Sequence, residues 1–383
     1  MVSTTSTVLL SLLIILVASS FHCLRLSNFL IRPTLESLQA LLILGFVLAN
    51  DMKAEASWAL LGLSCRLAQA LGLHRGPNES SRNPAYPTTP TPNDIPRRKL
   101  WWTMVWQDAL LSLSFDRPPV ATITRCEMPL SPDAALKGFT YPEAMYNLCA
   151  IILTAVKNDS NSTSDYHHII NYSQKVEDIR SQVKPEIRIK EACKTVQDKL
   201  QHYAVRLHTS FVISVLCRPA LRRNTSPGMD PPQKAILALK CKQNLTETVR
   251  MYLKMHSFSV IPTRSWAFTY HGLSSAVLLG ILGETKADPE VRKLQGELIE
   301  CLSATTAKDG TLRGEKGKVG KDIELSGPLS RALAALRNIY EHGWVADEPV
   351  LPQVQPIGRN EQFEHQDAAL AMASMQQNGI TPP

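Results

Sequence analysis

The chain has 383 residues, of which 44% are hydrophobic and 20% charged, so it can bury a full core and has the composition of an ordinary globular protein. Its formal net charge of +7 is mildly basic and spread along the chain, which permits contact with nucleic acid or acidic lipid and predicts neither. Cysteines stand at 23, 65, 126, 149, 193, 217, 241 and 301, too far apart for a Cys-x-x-Cys zinc or redox motif, and fit buried thiols in a reducing compartment.

Val8–Val17 is strongly apolar and continues less strongly to Leu26. This leader, residues 1–31, reads in three ways: a signal-peptide core with Val17-Ala18-Ser19-Ser20 as small residues for cleavage, a buried first helix, or sequence from a misplaced start. Met1–Thr7 carries no Lys or Arg, and the run is shorter than the ~20 residues of a membrane-spanning helix. Asn-x-Ser/Thr sequons at Asn78, Asn158, Asn161, Asn171, Asn224 and Asn244 suit a secreted chain. A membrane-anchored or secretory α-helical protein, targeted through Val8–Leu26, is therefore the alternative reading.

Pro33 precedes a helix over Thr34–Ala49, apolar around most of its circumference. Asn50-Asp51 is expected to turn and cap the next helix, Ser57–Arg75, where Leu60, Leu63, Leu67 and Leu71 form a core stripe. A loop rich in Pro, Ser and Thr covers Gly76–Pro96. The following helix opens on Arg97-Arg98-Lys99, a solvated start rather than a nuclear-import patch. It buries Leu100, Met104, Leu111 and Phe115, and closes on Asp116-Arg117-Pro118-Pro119. Asp108 and Arg117 are expected to form a buried ion pair that fixes the Arg-Pro turn. No second acid, His or nucleophile accompanies them for acid–base chemistry.

A helix over Glu143–Lys157 comes next, then a polar loop, Asn158–Asp165. His167 and His168 are adjacent, so on a helix they diverge and do not make a metal pair. From Lys184-Pro185 onward, Ile189, Cys193, Val196, Leu200, Tyr203, Leu207 and Phe211 recur at alternating steps of four and three. That pattern predicts one long helix with a narrow seam, packed within the domain or joining two copies as a homodimer through Ile189–Phe211. Helices are also predicted over Gln233–His256, over Arg264–Gly283 and from Asp288-Pro289. The second of these is apolar nearly all round. It reads as a central helix, or as the lining of an effector pocket formed by Arg264, Trp266, Tyr270 and His271.

Thr306–Gly327 is rich in Gly and Lys, but Gly314 to Lys321 is one residue too long for a phosphate loop and Asp322 replaces the magnesium-binding hydroxyl. Ser326 is expected to cap a last helix that Gly343 ends, and composition predicts disorder over 343–383. No strand pattern appears. The expected fold is all-α, a single large domain of about ten packed helices. There is no nucleophile elbow, metal-ligand helix or dinucleotide fingerprint, so an enzyme is not expected.

One constellation carries a resemblance. Trp58-x-x-x-Gly62, Arg66, Leu71-Gly72-Leu73-His74-Arg75, Arg97-Arg98-x-Leu-Trp101-Trp102, Asp108 and Arg117-Pro118 follow one another in this order. Together they resemble the regulatory middle homology domain of fungal zinc-cluster transcription factors. Pro33–Leu44 extends the resemblance upstream; Leu216–Leu221 and Ser326–Leu333 extend it downstream, so that it covers residues 32–342. It implies a nuclear regulator of RNA polymerase II transcription that works with the transcription machinery or a co-regulator and responds to a small-molecule effector. In that family an N-terminal six-cysteine cluster holding two zinc ions contacts DNA. The present residues contain no such cluster. The expectation is therefore no cofactor in this chain, zinc only with a cluster outside it, and DNA contact only through such residues or a partner. The signature residues themselves are expected to be structural.

Overall fold

The computed structural model describes residues 15–75, 94–121, 125–159, 165–221, 229–259, 261–307 and 325–343. Residues 1–14, most of the Gly76–Pro96 loop, the Lys308–Lys321 stretch and the tail beyond Gly343 lie outside them.

The fold is all-α. In chain order the helices are α1 (15–26), α2 (Leu35–Asn50), α3 (Ala54–Ala70), α4 (Asp94–Phe115), α5 (Ala134–Lys137) and α6 (Tyr141–Asp159). Then come α7 (Tyr166–Gln182), α8 (Pro185–Arg188), α9 (Val196–Cys217), α10 (Pro231–His256) and α11 (Ile261–Arg264). The last are α12 (Trp266–Ile281), α13 (Glu284–Ala287), α14 (Pro289–Ala307) and α15 (Gly327–His342). Among the described residues there is no strand, only an isolated bridge between Phe139 and Val183.

Successive helices pack on one another: α2 on α3, α3 on α4, α4 on α6, α6 on α7 and α7 on α9. The α9–α10 pair is the most extensive contact. It carries α12 and α14, over which α15 closes, and α12 also reaches back to α2 and α4. One continuous apolar core therefore runs from Leu24 to Ile339. Every cysteine is free; Cys23 is exposed, Cys301 half-buried and the others buried. α1 lies at the surface, with Leu26 70% exposed while Leu24 enters the core. No helix among the described residues is long and apolar enough to cross a membrane.

Four local expectations are corrected. On α3, Leu67 of the expected stripe is buried and Leu60 and Leu71 pack against the core, but Leu63 is exposed, and the inward face also carries Leu61, Cys65 and Ala68 together with Ser57 and Ser64. Small side chains win that face because α2 comes close. Ser57 Oγ donates to the Gly45 carbonyl at 2.7 Å, Ser64 Oγ donates to Leu60 at 2.8 Å, and both hydroxyls are thereby buried without loss of a bond. Asn50 and Asp51 do not cap α3. They close α2, and Lys53 occupies the N-cap position with no side-chain bond.

The long helix expected from Lys184 is interrupted between Arg188 and Val196. Thr195 and Asp198 form a capping box: Asp198 N–H donates to Thr195 Oγ1 at 3.0 Å, and the Asp198 carboxylate accepts from Thr195 N at 2.8 Å. These bonds satisfy amides that a continuous helix would have paired with the preceding turn. Within the predicted seam, Leu207 and Phe211 are buried in the chain's own core, whereas Ile189 and Val196 are exposed. Ser326 does sit at the N-cap of α15, but its hydroxyl makes no capping bond.

Candidate functional site

The signature residues run along α3 and α4 and on past their carboxyl ends, and both helices stop in the same way. In α3, Gly72 takes φ +75°, its N–H donates to the Gln69 carbonyl at 3.0 Å, and Leu73 N–H donates to Ala68 at 3.0 Å. This is a Schellman end, with Leu73 as its buried apolar anchor. In α4, Asp116 takes φ +53°, and Arg117 N–H reaches the Ser112 carbonyl at 2.9 Å. Asp is one of the few side chains that accept this left-handed position, and Pro118-Pro119 then prevents any continuation. A Cβ at Gly72 would meet no neighbour within 4 Å. Gly72→Ala is therefore expected to cost only the backbone strain, about 1 kcal/mol in urea unfolding. A loss several times larger would show a steric role that the open space denies.

A polar chain ties the two ends together. Trp58 Nε1 donates to Ser112 Oγ at 3.1 Å, Ser112 Oγ donates to Asp108 at 3.5 Å, and the other Asp108 oxygen accepts from Ala121 N–H at 2.9 Å. Asp108 is fully buried, and burial raises its carboxyl pKa against the opposing pull of the Ala121 and Val120 amides and Ser112. The expected Asp108–Arg117 ion pair does not form. The chain folds back after α4, so the 120–121 backbone satisfies the carboxylate, and the Arg117 guanidinium lies over the Trp58 ring at 4.6 Å and the Phe115 ring at 5.0 Å.

The other signature residues brace this corner. Arg97 Nη2 donates to the Leu71 carbonyl at 3.2 Å, placing a cation at the negative end of α3. Arg98 pairs with Glu127 at 3.4 Å. Trp101 is fully buried with its ring 6.0 Å from His74, and Trp102 Nε1 donates to the Glu127 carbonyl at 3.1 Å. Arg75 Nε donates to His74 Nε2 at 3.3 Å. Gly62 faces Val120, whose Cγ2 would lie 3.8 Å from an added Cβ.

Between α3 and the Arg-Pro turn lies a cleft of about 740 Å³, lined by Trp58, Arg66, Gln69, His74, Arg117, Pro118, Pro119 and Val120. Five of these, Trp58, Arg66, His74, Arg117 and Pro118, are signature residues. Its wall is apolar, its edge carries two guanidiniums, and no carboxylate among the described residues lines it. Such a cleft can hold an anionic molecule with a flat apolar part. It contains no nucleophile–base pair. Sequence reading missed Gln69 and Val120, which become neighbours only when the turn folds onto α3, with Gln69 Nε2 donating to the Val120 carbonyl at 3.5 Å.

Trp266, Tyr270 and His271 also come together, as a packed joint between α12, α4 and α9. Trp266 stacks on Tyr270 with centroids 4.8 Å apart, and Tyr270 Oη donates to the Ser114 carbonyl at 2.5 Å. His271 stacks on Phe211 at 3.7 Å and stands edge-on to His208 at 5.3 Å. Burial alone pushes His208 down to about 3, and burial also holds His271 well below the ordinary histidine value. Arg264 is exposed at the end of α11.

Residues 7–185 match the family model of the fungal specific transcription factor domain. This match covers just under half of the chain. The match contains the whole α3–α4 corner and ends as α8 begins. The chain is similar to an uncharacterized transcriptional regulatory protein of Schizosaccharomyces pombe, with 23% identity over 266 residues that cover 66% of this chain and 32% of the relative. It is also similar to the C6 finger domain transcription factor nscR of Aspergillus fumigatus, with 32% identity over 94 residues that cover 24% of this chain and 11% of that protein. The matched parts are thus a third or less of the relatives' own lengths. No solved structure matches the chain.

Proposed function

We propose that this chain is the regulatory part of a fungal transcription regulator, acting in the nucleus on RNA polymerase II transcription and working without catalysis of its own. The fungal specific transcription factor domain over residues 7–185 carries this reading, and both relatives bear names of transcriptional regulators. In this reading the domain relays a signal to the transcription machinery or a co-regulator. A small-molecule effector would be taken up by the cation-edged cleft beside Trp58 and Arg117, where its binding would bear on two helix ends at once. Zinc, in this reading, is held only by a cluster outside these residues. DNA contact accordingly belongs to a partner or to residues outside this sequence.

Tethering tests the proposal. The full chain, fused to a heterologous DNA-binding domain in a fungal cell, is expected to raise or lower a reporter bearing that domain's operator, relative to the DNA-binding domain alone. A tagged full chain is expected to accumulate in the nucleus. A silent reporter with stable expression, together with retention of the tagged chain at membranes, would overturn the reading.

A further inference from the structure

A second cleft, of about 480 Å³, opens on the far side of the α9–α10 pair, beyond the segment that matches the family model. Its lining is Arg188, Ile189, Lys190, Glu191, His202, Tyr203, Arg206, Met251 and Lys254. Four of these are cations and one is an acid. The break between α8 and α9 makes this arrangement possible, because it folds Arg188 and Lys190 across the side of α9 toward the end of α10.

Three of the four cations have no carboxylate partner among the described residues, and Arg206 is paired with Glu247. Arg188 Nη1 donates to the Ser181 carbonyl at 2.9 Å, which holds the side chain and leaves its other edge open. Arg206 places Nε and Nη2 on Glu247 at 3.1 and 2.8 Å, which leaves Nη1 for the cleft. Lys190 and Lys254 are exposed, and neither has a carboxylate partner among the described residues. The floor is apolar, from Tyr203, Met251 and the 44% exposed Ile189. His202 Nδ1 is bonded to the Ile187 carbonyl at 2.9 Å, so Nε2 is the ring atom left to face a ligand.

We propose that this cleft is a binding site for a phosphate-bearing group, held by the Arg188 and Arg206 guanidiniums and the Lys190 and Lys254 ammoniums, with an adjoining apolar part of the ligand on Ile189, Tyr203 and Met251. Two guanidinium edges and two mobile ammoniums converging on one concavity match a multiply charged, oxygen-rich anion. The excess of cations over the single Glu191 raises the local concentration of such anions. The site does not depend on the transcriptional reading, so either can fail alone.

The test uses the full chain and inorganic pyrophosphate, titrated by calorimetry. Saturable binding with one site per chain is expected, and Lys190→Ala with Lys254→Ala is expected to weaken it about tenfold or more. Neither lysine side chain makes a hydrogen bond or ion pair among the described residues, so the thermal midpoint of the free double variant should stay close to that of the parent. Lys175→Ala with Lys293→Ala removes the same charge elsewhere and should leave affinity within about twofold. Equal weakening in both double variants, or no saturable binding by the parent, would overturn the proposal. Vesicles with and without a phosphorylated inositol lipid then identify the source. Co-sedimentation that the Lys190/Lys254 variant loses assigns the phosphate to a headgroup, and pyrophosphate binding without co-sedimentation assigns it to a soluble molecule.

Discussion

Trp101→Ala is expected to lower the stability of the chain by about 3–5 kcal/mol, the largest loss from any single truncation in the signature segment. Trp101 is fully buried and ranks first among the large side chains that have no exposure. It stands on α4 just beneath the Schellman end of α3, with its ring against His74. Truncation would open a cavity on which Leu73 and the α3 carboxyl end rest, and neighbouring helices can only partly collapse into it. Against a total stability of about 5–15 kcal/mol, such a loss is a large share of the whole. Urea unfolding should show a lower midpoint with an unchanged slope. Trp102→Phe is a milder comparison: it keeps an aromatic ring but releases the carbonyls of Cys126 and Glu127, a loss of about 1 kcal/mol. A Trp101→Ala variant as stable as the parent would mean that this corner is not the packed one described.

Acid is expected to weaken the fold well before carboxylates begin to titrate. His208 and His271 are buried as neutral imidazoles, with folded values depressed by burial, to about 3 for His208. In the unfolded chain both titrate near pH 6.5, so below that pH the unfolded state binds the extra protons. Their contribution is therefore complete above about pH 6.5 and falls as the pH drops toward the folded values, at about 1.4 kcal/mol per unit for each ring. Between about pH 7.5 and about pH 5 the two rings together should remove about 4 kcal/mol. His202 and His256 shift in the same direction with less burial. Glu143 and Glu247, whose folded values are lowered, act only near and below the ordinary glutamate range. Urea midpoints across this range should fall steeply for the parent and more gently for a His208→Gln, His271→Gln variant. Equal steepness in the two would show that other groups set the acid limit.

Where side chains repeat at helical spacing in long segments, the sequence alone placed the element. α2 and α10 begin and end within about two residues of expectation, and α14 begins where expected, a margin set by fraying and capping. The stop at Leu71-Gly72-Leu73 was not read from the sequence, which ran this helix on to Arg75; α3 ends at Ala70 because Gly72 takes the left-handed conformation. The inward face of α3 was only partly legible. Leucine spacing placed Leu60, Leu67 and Leu71 on or against the core but also Leu63, which is exposed, and it did not find Ser57, Leu61, Ser64 and Ala68. A small polar residue enters a core only if a carbonyl lies within reach; for Ser64 it is Leu60 of its own helix, but for Ser57 it is Gly45 of another.

The same reason covers the charges. Asp108 and Arg117 were read as partners because they flank one turn, yet backbone amides that return thirteen residues later hold the carboxylate and an indole holds the guanidinium. The two clefts have the same origin: Arg66 with Pro119, or Lys190 with Lys254, share nothing in sequence until helices cross. By itself, then, the sequence determined the all-α class, many helix bounds and the resemblance to the fungal transcription factor domain. These depend on periodicity and local backbone preference, which act over a few neighbouring residues. Tertiary structure alone decided which helix faces turn inward, who satisfies each buried polar group and where cations gather around a cavity. Those outcomes depend on distances between segments far apart in the chain, and only the packed core sets those distances.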